Sequence, residues 1–359
     1  MGLFNIFKKQ TSETSIPKGF FAVNVLAIER LTNDAVQISF SIPESLKKDF
    51  AFQPGQYIDL STNIDGTAYR RSYSICSGSN ETLSIGVKEV VNGKVSTWIN
   101  QTLKTGDEVH ISPPKGSFTL PSSAKNVVAI AAGSGITPIL SMAKSIEKND
   151  STLTLFYGNR TWDTVMFEGK LTELSHTNCI HYLSRDEKEG CKTGRITKAS
   201  FTEEIKSNLD LLKSDAFFIC GPEEMIREIK ETLTFFGVAK EKIHIELFTT
   251  PTAPLEGAQQ TVNTFEGKST VTMILDDEVS RFTLDSKGAH ILDQAEKEGL
   301  DVPFSCRGGV CASCKAKVLK GSALMDLNYS LTDQEVKDGY ILTCQAHPTS
   351  EELTISFDE

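Results

Sequence analysis

Three cysteines, Cys306, Cys311 and Cys314, stand within nine residues in the stretch CRGGVCASCK, and a fourth, Cys344, follows after 29 further residues. Four thiolates hold either a zinc ion or an iron–sulfur centre. Structural zinc favours two C-x2-C knuckles, and only Cys311 and Cys314 have that spacing. C-x4-C-x2-C with one distant cysteine is the spacing of a [2Fe-2S] centre, in which a tight loop gives three ligands and a strand gives one. Gly308 and Gly309 let the backbone wrap closely enough for N–H groups to face the sulfurs. The cluster is the better reading and zinc the alternative.

A centre that carries one electron needs a supply. Upstream, the apolar run NVVAIAA (126–132) leads into AGSGITP. Gly133 and Gly135 permit a tight turn against a phosphate, Thr137 offers a cap, and Pro138 suits the first position of the next helix. Pro138 also occupies the place of the third glycine of G-x-G-x-x-G, so the turn alone is weak evidence. A site for NAD would carry an acid after the second strand. Here LFYGNR ends in Arg160, and the next strand ends in Ser184 and Arg185. Two guanidiniums and a hydroxyl suit the 2′-phosphate of NADP, surface arginines being the plainer alternative. Cys220, Gly221 and Pro222 close another strand and open a helix. Its Glu223 and Glu224 need no explanation beyond the helix dipole.

NADPH delivers two electrons as hydride and the cluster takes one, so a flavin is expected between them. Arg71, Ser72, Tyr73 and Ser74 in RRSYS put an arginine, an aromatic and a hydroxyl at alternating strand positions on one face. Gly93, Lys94, Val95, Ser96 and Thr97 precede a short helix expected near residues 97–103, and offer N–H groups and a hydroxyl to a pyrophosphate.

The elements that position these groups fall into three segments. Residues 1–16 read as a tail. Residues 17–121 hold closely spaced β-rich runs, expected to form an antiparallel barrel. Residues 122–249 alternate strand, turn and helix, expected to form a doubly wound parallel sheet. Residues 250–268, rich in Pro, Thr, Gly and Gln, read as a linker, and residues 269–359 read as a small β-plus-helix domain. The fold class is thus multidomain, α+β and α/β.

Composition narrows the function. A net charge of −10 argues against nucleic acid as a partner. From Gly267 to Glu359 there are 16 Asp and Glu against 9 Lys and Arg, a net of −7, so most of the negative charge lies at the cysteine end, where it would steer a basic partner. No apolar run is long enough to span a bilayer. Eight cysteines without a signal peptide point to a reducing compartment, the cytoplasm. Ile6 stands where a myristoylation signal wants Ser or Thr. No G-x-S-x-G or H-E-x-x-H motif occurs.

PFSCRGGVCASCKAKVLKGSALMD with GYILTCQAHP resembles a plant-type ferredoxin domain of β-grasp fold. AAGSGITPIL with FFICGPEEMI resembles the nucleotide domain of the ferredoxin-NADP reductase family, and RRSYS fits that family's R-x-Y-S motif. The resemblance implies FAD rather than FMN, though no adenine pocket is legible. It implies Arg71 on the flavin phosphate, Tyr73 on the ring, Ser74 near the reactive nitrogen and Cys220 beside the nicotinamide. Phe248 would stack near the flavin, or is simply a core residue. The layout resembles reductase components of bacterial multicomponent oxygenases, most closely the phenylacetyl-CoA epoxidase type. It implies electron flow from NADPH to FAD to [2Fe-2S] to a terminal oxygenase, with Ser305, Arg307 and Ala312 near the contact surface. A Rieske-type dioxygenase, a steroid hydroxylase and a hybrid-cluster protein are alternative acceptors. A flavoprotein with a zinc-bound interaction module is the alternative of another class.

Overall fold

The structure, a computed structural model, describes residues 16–148, 151–249 and 265–359. The tail lies outside the described residues except Ile16, and the linker lies outside them up to residue 264.

The first domain is built from β1 (Phe21–Thr32), β2 (Ala35–Ser41), β3 (Tyr57–Ile64), β4 (Thr67–Ser74), β5 (Ser84–Lys88) and β6 (Glu108–Ile111). They pair antiparallel in the order β4-β3-β6-β1-β2-β5, and a bridge between Ile75 and Ile85 closes the sheet into a barrel. Alternation sorts the side chains: Val36, Ile38 and Phe40 of β2 point inward with Ile58 and Leu60 of β3. Asp65 and Gly66, both at positive φ, make the two-residue turn between β3 and β4, whose mirror-image geometry matches the strand twist. Helix α1 (Lys94–Gln101) packs Val95 and Ile99 into the same core. It starts at the lysine of the Gly93–Thr97 segment, three residues before the expected position.

The second domain contains β7 (Asn126–Ala132), α2 (Ile136–Ile146), β8 (Thr152–Asn159), α3 (Glu168–Thr172), β9 (Thr177–Leu183), β10 (Lys192–Thr193), α4 (Lys198–Ser207), β11 (Ala216–Cys220), α5 (Glu223–Phe235) and β12 (Ile243–Glu246). All six strands are parallel, in the order β10-β9-β8-β7-β11-β12. Helices cover both faces, so the central strands β7 and β11 are apolar along nearly their whole length. Val127 and Ala129 pack with Ile139 of α2, and Val128 and Ile130 pack with Ile226 and Ile229 of α5. The strand order reverses between β7 and β11, which opens a crevice at their carboxyl ends.

Two local expectations need correction. Helix α2 begins at Ile136, so Pro138 is its third residue, not its first. The first four helical N–H groups have no partner within the helix, so proline costs no bond there either. Nor does Thr137 cap. Gly135 holds the cap position, and the Thr137 hydroxyl donates instead to Ser134 O at 2.9 Å.

The third domain has β13 (Lys268–Leu275), β14 (Glu278–Asp285), α6 (Ile291–Lys297), β15 (Lys315–Lys320), β16 (Ala323–Met325), α7 (Asp333–Lys337), β17 (Tyr340–Leu342), β18 (Ala346–Pro348) and β19 (Glu352–Ser356). The sheet order β14-β13-β19-β15-β17 places the first and last strands parallel at its centre, and α6 buries Ile291, Leu292 and Ala295 against it, the β-grasp arrangement. β16 and β18 form a separate ribbon. Among the described residues no helix is long and apolar enough to cross a membrane.

At the β7/β11 crevice the two turns touch backbone to backbone: a Cβ on Gly135 would lie 2.1 Å from Cys220 O. Gly135→Ala is therefore expected to destabilise the nucleotide domain by about 1–3 kcal/mol, read as a lower urea midpoint. An unchanged midpoint would mean that the turns separate freely.

Candidate functional site

In the third domain the loop after α6 curls through Arg307 at φ 56° and Gly309 at φ 73°, and brings three cysteines under the fourth. Cys311, Cys314 and Cys344 are buried and Cys306 is partly exposed; none is in a disulfide. Backbone N–H groups face the sulfurs, Cys306 N donating to Cys311 Sγ at 3.3 Å and Gly308 N to Cys306 Sγ at 3.4 Å. The Cys306 sulfur, and then burial, push the Cys311 thiol well above its ordinary range. Four thiolates this close are stable only around a cationic centre, and the donor set with its N–H groups fits a [2Fe-2S] cluster.

The loop does not float. Ser313, between two ligands, donates to Asp59 Oδ2 at 2.7 Å, and Asp59 lies on β3 of the barrel. Asp59 is 1% exposed and also accepts from Ser72 Oγ at 2.6 Å and Lys115 Nζ at 3.0 Å. Tyr57 Oη lies 3.4 Å from Ser313 Oγ, and Ser72 Oγ 2.9 Å from Ser305 Oγ. Arg70 adds a second fastening. Its guanidinium binds Asp301 Oδ1 at 2.6 Å and Val302 O at 3.2 Å, beside the rings of Phe20 and Phe304.

Strand period divides the RRSYS motif. Ser72 and Ser74 pair with Asp59 and Tyr57 on the face that meets the cluster domain, whereas Arg71 and Tyr73 pair with Leu60 and Ile58 on the barrel side. The arginine, the aromatic and the hydroxyls therefore do not share one face, because odd and even positions diverge. Arg71 donates to Arg70 O at 2.7 Å and has no carboxylate partner among the described residues, so its charge is available to a phosphate. The hydroxyl of Ser72 is committed to the seam with the cluster domain. In the Gly93–Thr97 segment Ser96 Oγ accepts from Val90 N at 3.0 Å, Thr97 Oγ1 donates to Glu89, and the Val95 side chain is buried. What remains for a pyrophosphate is the N–H groups of the first turn, including that of Lys94.

Ser74 meets a residue not singled out in the sequence. Glu246 ends β12 in register with Cys220 at the end of β11; Cys220 is fully buried and Glu246 half-buried, with its Oε2 shielded from solvent. Burial pushes the Glu246 carboxyl up to about 8, against a hydrogen bond from Ser74 that pulls it down. Burial, with Glu246 second, holds the Cys220 thiol protonated, so it packs and does not attack. Glu246 Oε2 is buried and has no hydrogen-bond partner among the described residues, an unsatisfied polar atom beside the end of β11. The signal was present in HIELF, an acid that alternates with isoleucine and ends a short, half-buried strand.

Gly133 takes φ 54°, and Gly135 and Gly221 line the crevice beside Cys220 and Pro222. Along the same edge, Ser184 N bonds Asn159 O at 3.0 Å and Arg185 N bonds Arg160 O at 2.8 Å, which gathers Arg160, Ser184 and Arg185. Neither guanidinium has a carboxylate partner among the described residues. Phe248, at 42% exposure, is a surface aromatic rather than a core residue.

Family models match each segment: an oxidoreductase FAD-binding domain over residues 22–120, an oxidoreductase NAD-binding domain over 129–231 and a 2Fe-2S iron-sulfur cluster binding domain over 274–349. The last decides the cysteine loop in favour of the cluster over zinc. The chain is 34% identical over 351 residues to one of the subunits of 1,2-phenylacetyl-CoA epoxidase of Escherichia coli K12, covering 94% of this chain and 98% of that protein. It is 29% identical to the ferredoxin reductase component of 3-ketosteroid-9-alpha-monooxygenase of Rhodococcus rhodochrous, covering 95% and 99%. Phthalate dioxygenase reductase shares the fold with a TM-score of 0.58 at 24% identity, over 94% of this chain and 98% of that one. The chain belongs to the ferredoxin-NADP reductase family, in the branch that carries a C-terminal [2Fe-2S] ferredoxin domain and includes its 1,2-phenylacetyl-CoA epoxidase relative.

Proposed function

We propose that the protein is the NADPH-dependent reductase of a multicomponent oxygenase of phenylacetyl-CoA epoxidase type. The observation that carries this reading is the fastening of the cluster loop to strand β3 through Asp59, next to the flavin-motif strand β4. A bound flavin accepts hydride and hands electrons on singly. The chain's own residues hold the groups in line. Arg71 and the first turn of α1 bind phosphate, and Cys220 and the paired glycine turns leave room for a flat ring. Ser74 and protonated Glu246 present hydrogen bonds where the hydride passes. Asp59, Ser313 and Arg70 keep the cluster close to the barrel, so that the gap electrons cross stays short. Arg160, Ser184 and Arg185 receive the 2′-phosphate. The acidic third domain offers its exposed face to a terminal oxygenase. The epoxidase type rests on the 34% identity; a steroid oxygenase as acceptor has the support of the 29% relative.

Added NADPH is expected to bleach the flavin first and then raise the EPR signal of a reduced [2Fe-2S] cluster. Asp59→Ala should leave the first step intact and slow the second by about tenfold, about 1.4 kcal/mol. An unaltered second step would remove the seam from the pathway. Turnover with the oxygenase part of phenylacetyl-CoA epoxidase, and none with a steroid oxygenase, supports the finer assignment; the reverse overturns it. Arg160→Ala and Arg185→Ala should each lower the NADPH/NADH ratio of kcat/KM by roughly 10–100-fold, the loss of one charge-assisted hydrogen bond. A ratio that does not move refutes the charge argument.

Glu246 gives a pH signature. Its folded value of about 8 lies above its ordinary 4.5, so the protonated form dominates below pH 8 and is lost as pH rises through it. The rate of flavin reduction should fall through that window, and Glu246→Gln should flatten the profile. Folding stability should decline from about pH 4.5 to 8 in the wild type and not in this variant.

A further inference from the structure

Away from the flavin face, the third domain brings two imidazoles and a carboxylate to one point. His290 precedes α6, Asp326 follows β16, and His347 lies on β18. His290 Nε2 and His347 Nε2 lie 3.0 and 3.2 Å from the same oxygen, Asp326 Oδ2, and all three ligand atoms fall within 4.8 Å of one another. The rings are 4.6 Å apart between centroids. We propose that His290, Asp326 and His347 form a binding site for a divalent transition metal, zinc first, separate from the cysteine cluster.

Three observations carry it. The spacing is right: bonds of about 2.0–2.1 Å to a tetrahedral ion place neighbouring ligand atoms about 3.3 Å apart, close to the two separations seen. The ligands are held in place by backbone. Leu324 pairs with His347 and Met325 with Ala346 across the ribbon, Asp326 N donates to Gln345 O at 2.8 Å, and Leu292 N donates to Thr343 O at 3.0 Å. The outer contacts also suit a metal-bound histidine. His290 Nδ1 lies 3.5 Å from Asp293 Oδ2, the carboxylate–histidine pairing that orients such rings. His347 Nδ1 is buried with no partner among the described residues, so Nε2, turned to Asp326, is the engaged nitrogen of that ring. The two rings are 27% and 16% exposed and the Asp326 side chain 54%, which leaves the fourth position open to water.

Two histidines, one carboxylate and a water make a set that binds zinc, and copper(II) more tightly, while calcium and magnesium prefer all-oxygen ligands. The site also adjoins the cluster loop. Asp293 accepts from Arg307 Nη1 at 2.9 Å, and Arg307 O accepts from Gln345 Nε2 at 2.9 Å, next to the ligand Cys344. A metal there would staple the ribbon to the start of α6 beside that loop.

The test is zinc titration of the full chain, loaded with FAD and cluster, against a chromophoric chelator, with iron and zinc counted by elemental analysis. One zinc bound beyond the cluster iron, with iron content constant, is expected. The double variant His290→Gln/His347→Gln should lose at least 100-fold in affinity, and the exposed Asp326→Asn about tenfold. An unchanged EPR spectrum of the reduced cluster in each variant shows that the domain has kept its fold. Zinc bound equally by wild type and double variant, zinc uptake matched by iron loss, or no zinc at all would each overturn the proposal.

Discussion

A single buried carboxylate sets the geometry of the molecule. Asp59 is almost wholly removed from water, a position that costs several kcal/mol for an unpaired charge. It is tolerated because Ser72, Ser313 and Lys115 all donate to it. Two of those donors belong to the barrel and one to the cluster loop, so solvating the charge and docking the domains are one event. Arg70 repeats the logic from the other side, its guanidinium lodged among Phe20, Phe304 and Asp301.

The same economy governs the nucleotide face. The strand ends carry the groups that line the crevice: the glycine turn after β7, Cys220 at the end of β11 and Glu246 at the end of β12. The unusual member is Glu246, which stays protonated because burial outweighs the bond from Ser74. A neutral acid there carries an O–H donor and leaves no uncompensated charge beside the buried Cys220 thiol.

Much of this is legible in the sequence because its signals are local. The first three cysteines, the glycine turn after a continuous apolar strand, and RRSYS are each compact motifs, and the order of three domains follows from changes of period. What is not legible depends on pairing across the chain. Asp59 stands 254 residues from Ser313, and nothing in YIDLST marks its acid as interdomain. Arg70 and Arg71 are identical in type, and only the pleat sends one to the seam and leaves the other without a carboxylate partner among the described residues. The spacing of RRSYS suggests one shared face, yet adjacent positions of a strand must diverge. Helix α2 starts two residues before the point its proline suggests, because a proline anywhere in the first turn forfeits no intrahelical hydrogen bond, so its presence does not fix the first residue.

The split of β4 bears on how such proteins are recombined. One strand turns Arg71 and Tyr73 to one side and Ser72 and Ser74 to the other, and its neighbour carries the acid that receives the cluster loop. The ferredoxin module therefore does not travel as a self-contained cassette. A chimera that imported a foreign module would inherit a socket cut for Ser313, Ser305 and Asp301, and compatibility would be decided on the barrel, at Asp59, Arg70 and Ser72, rather than at the tether that joins the parts.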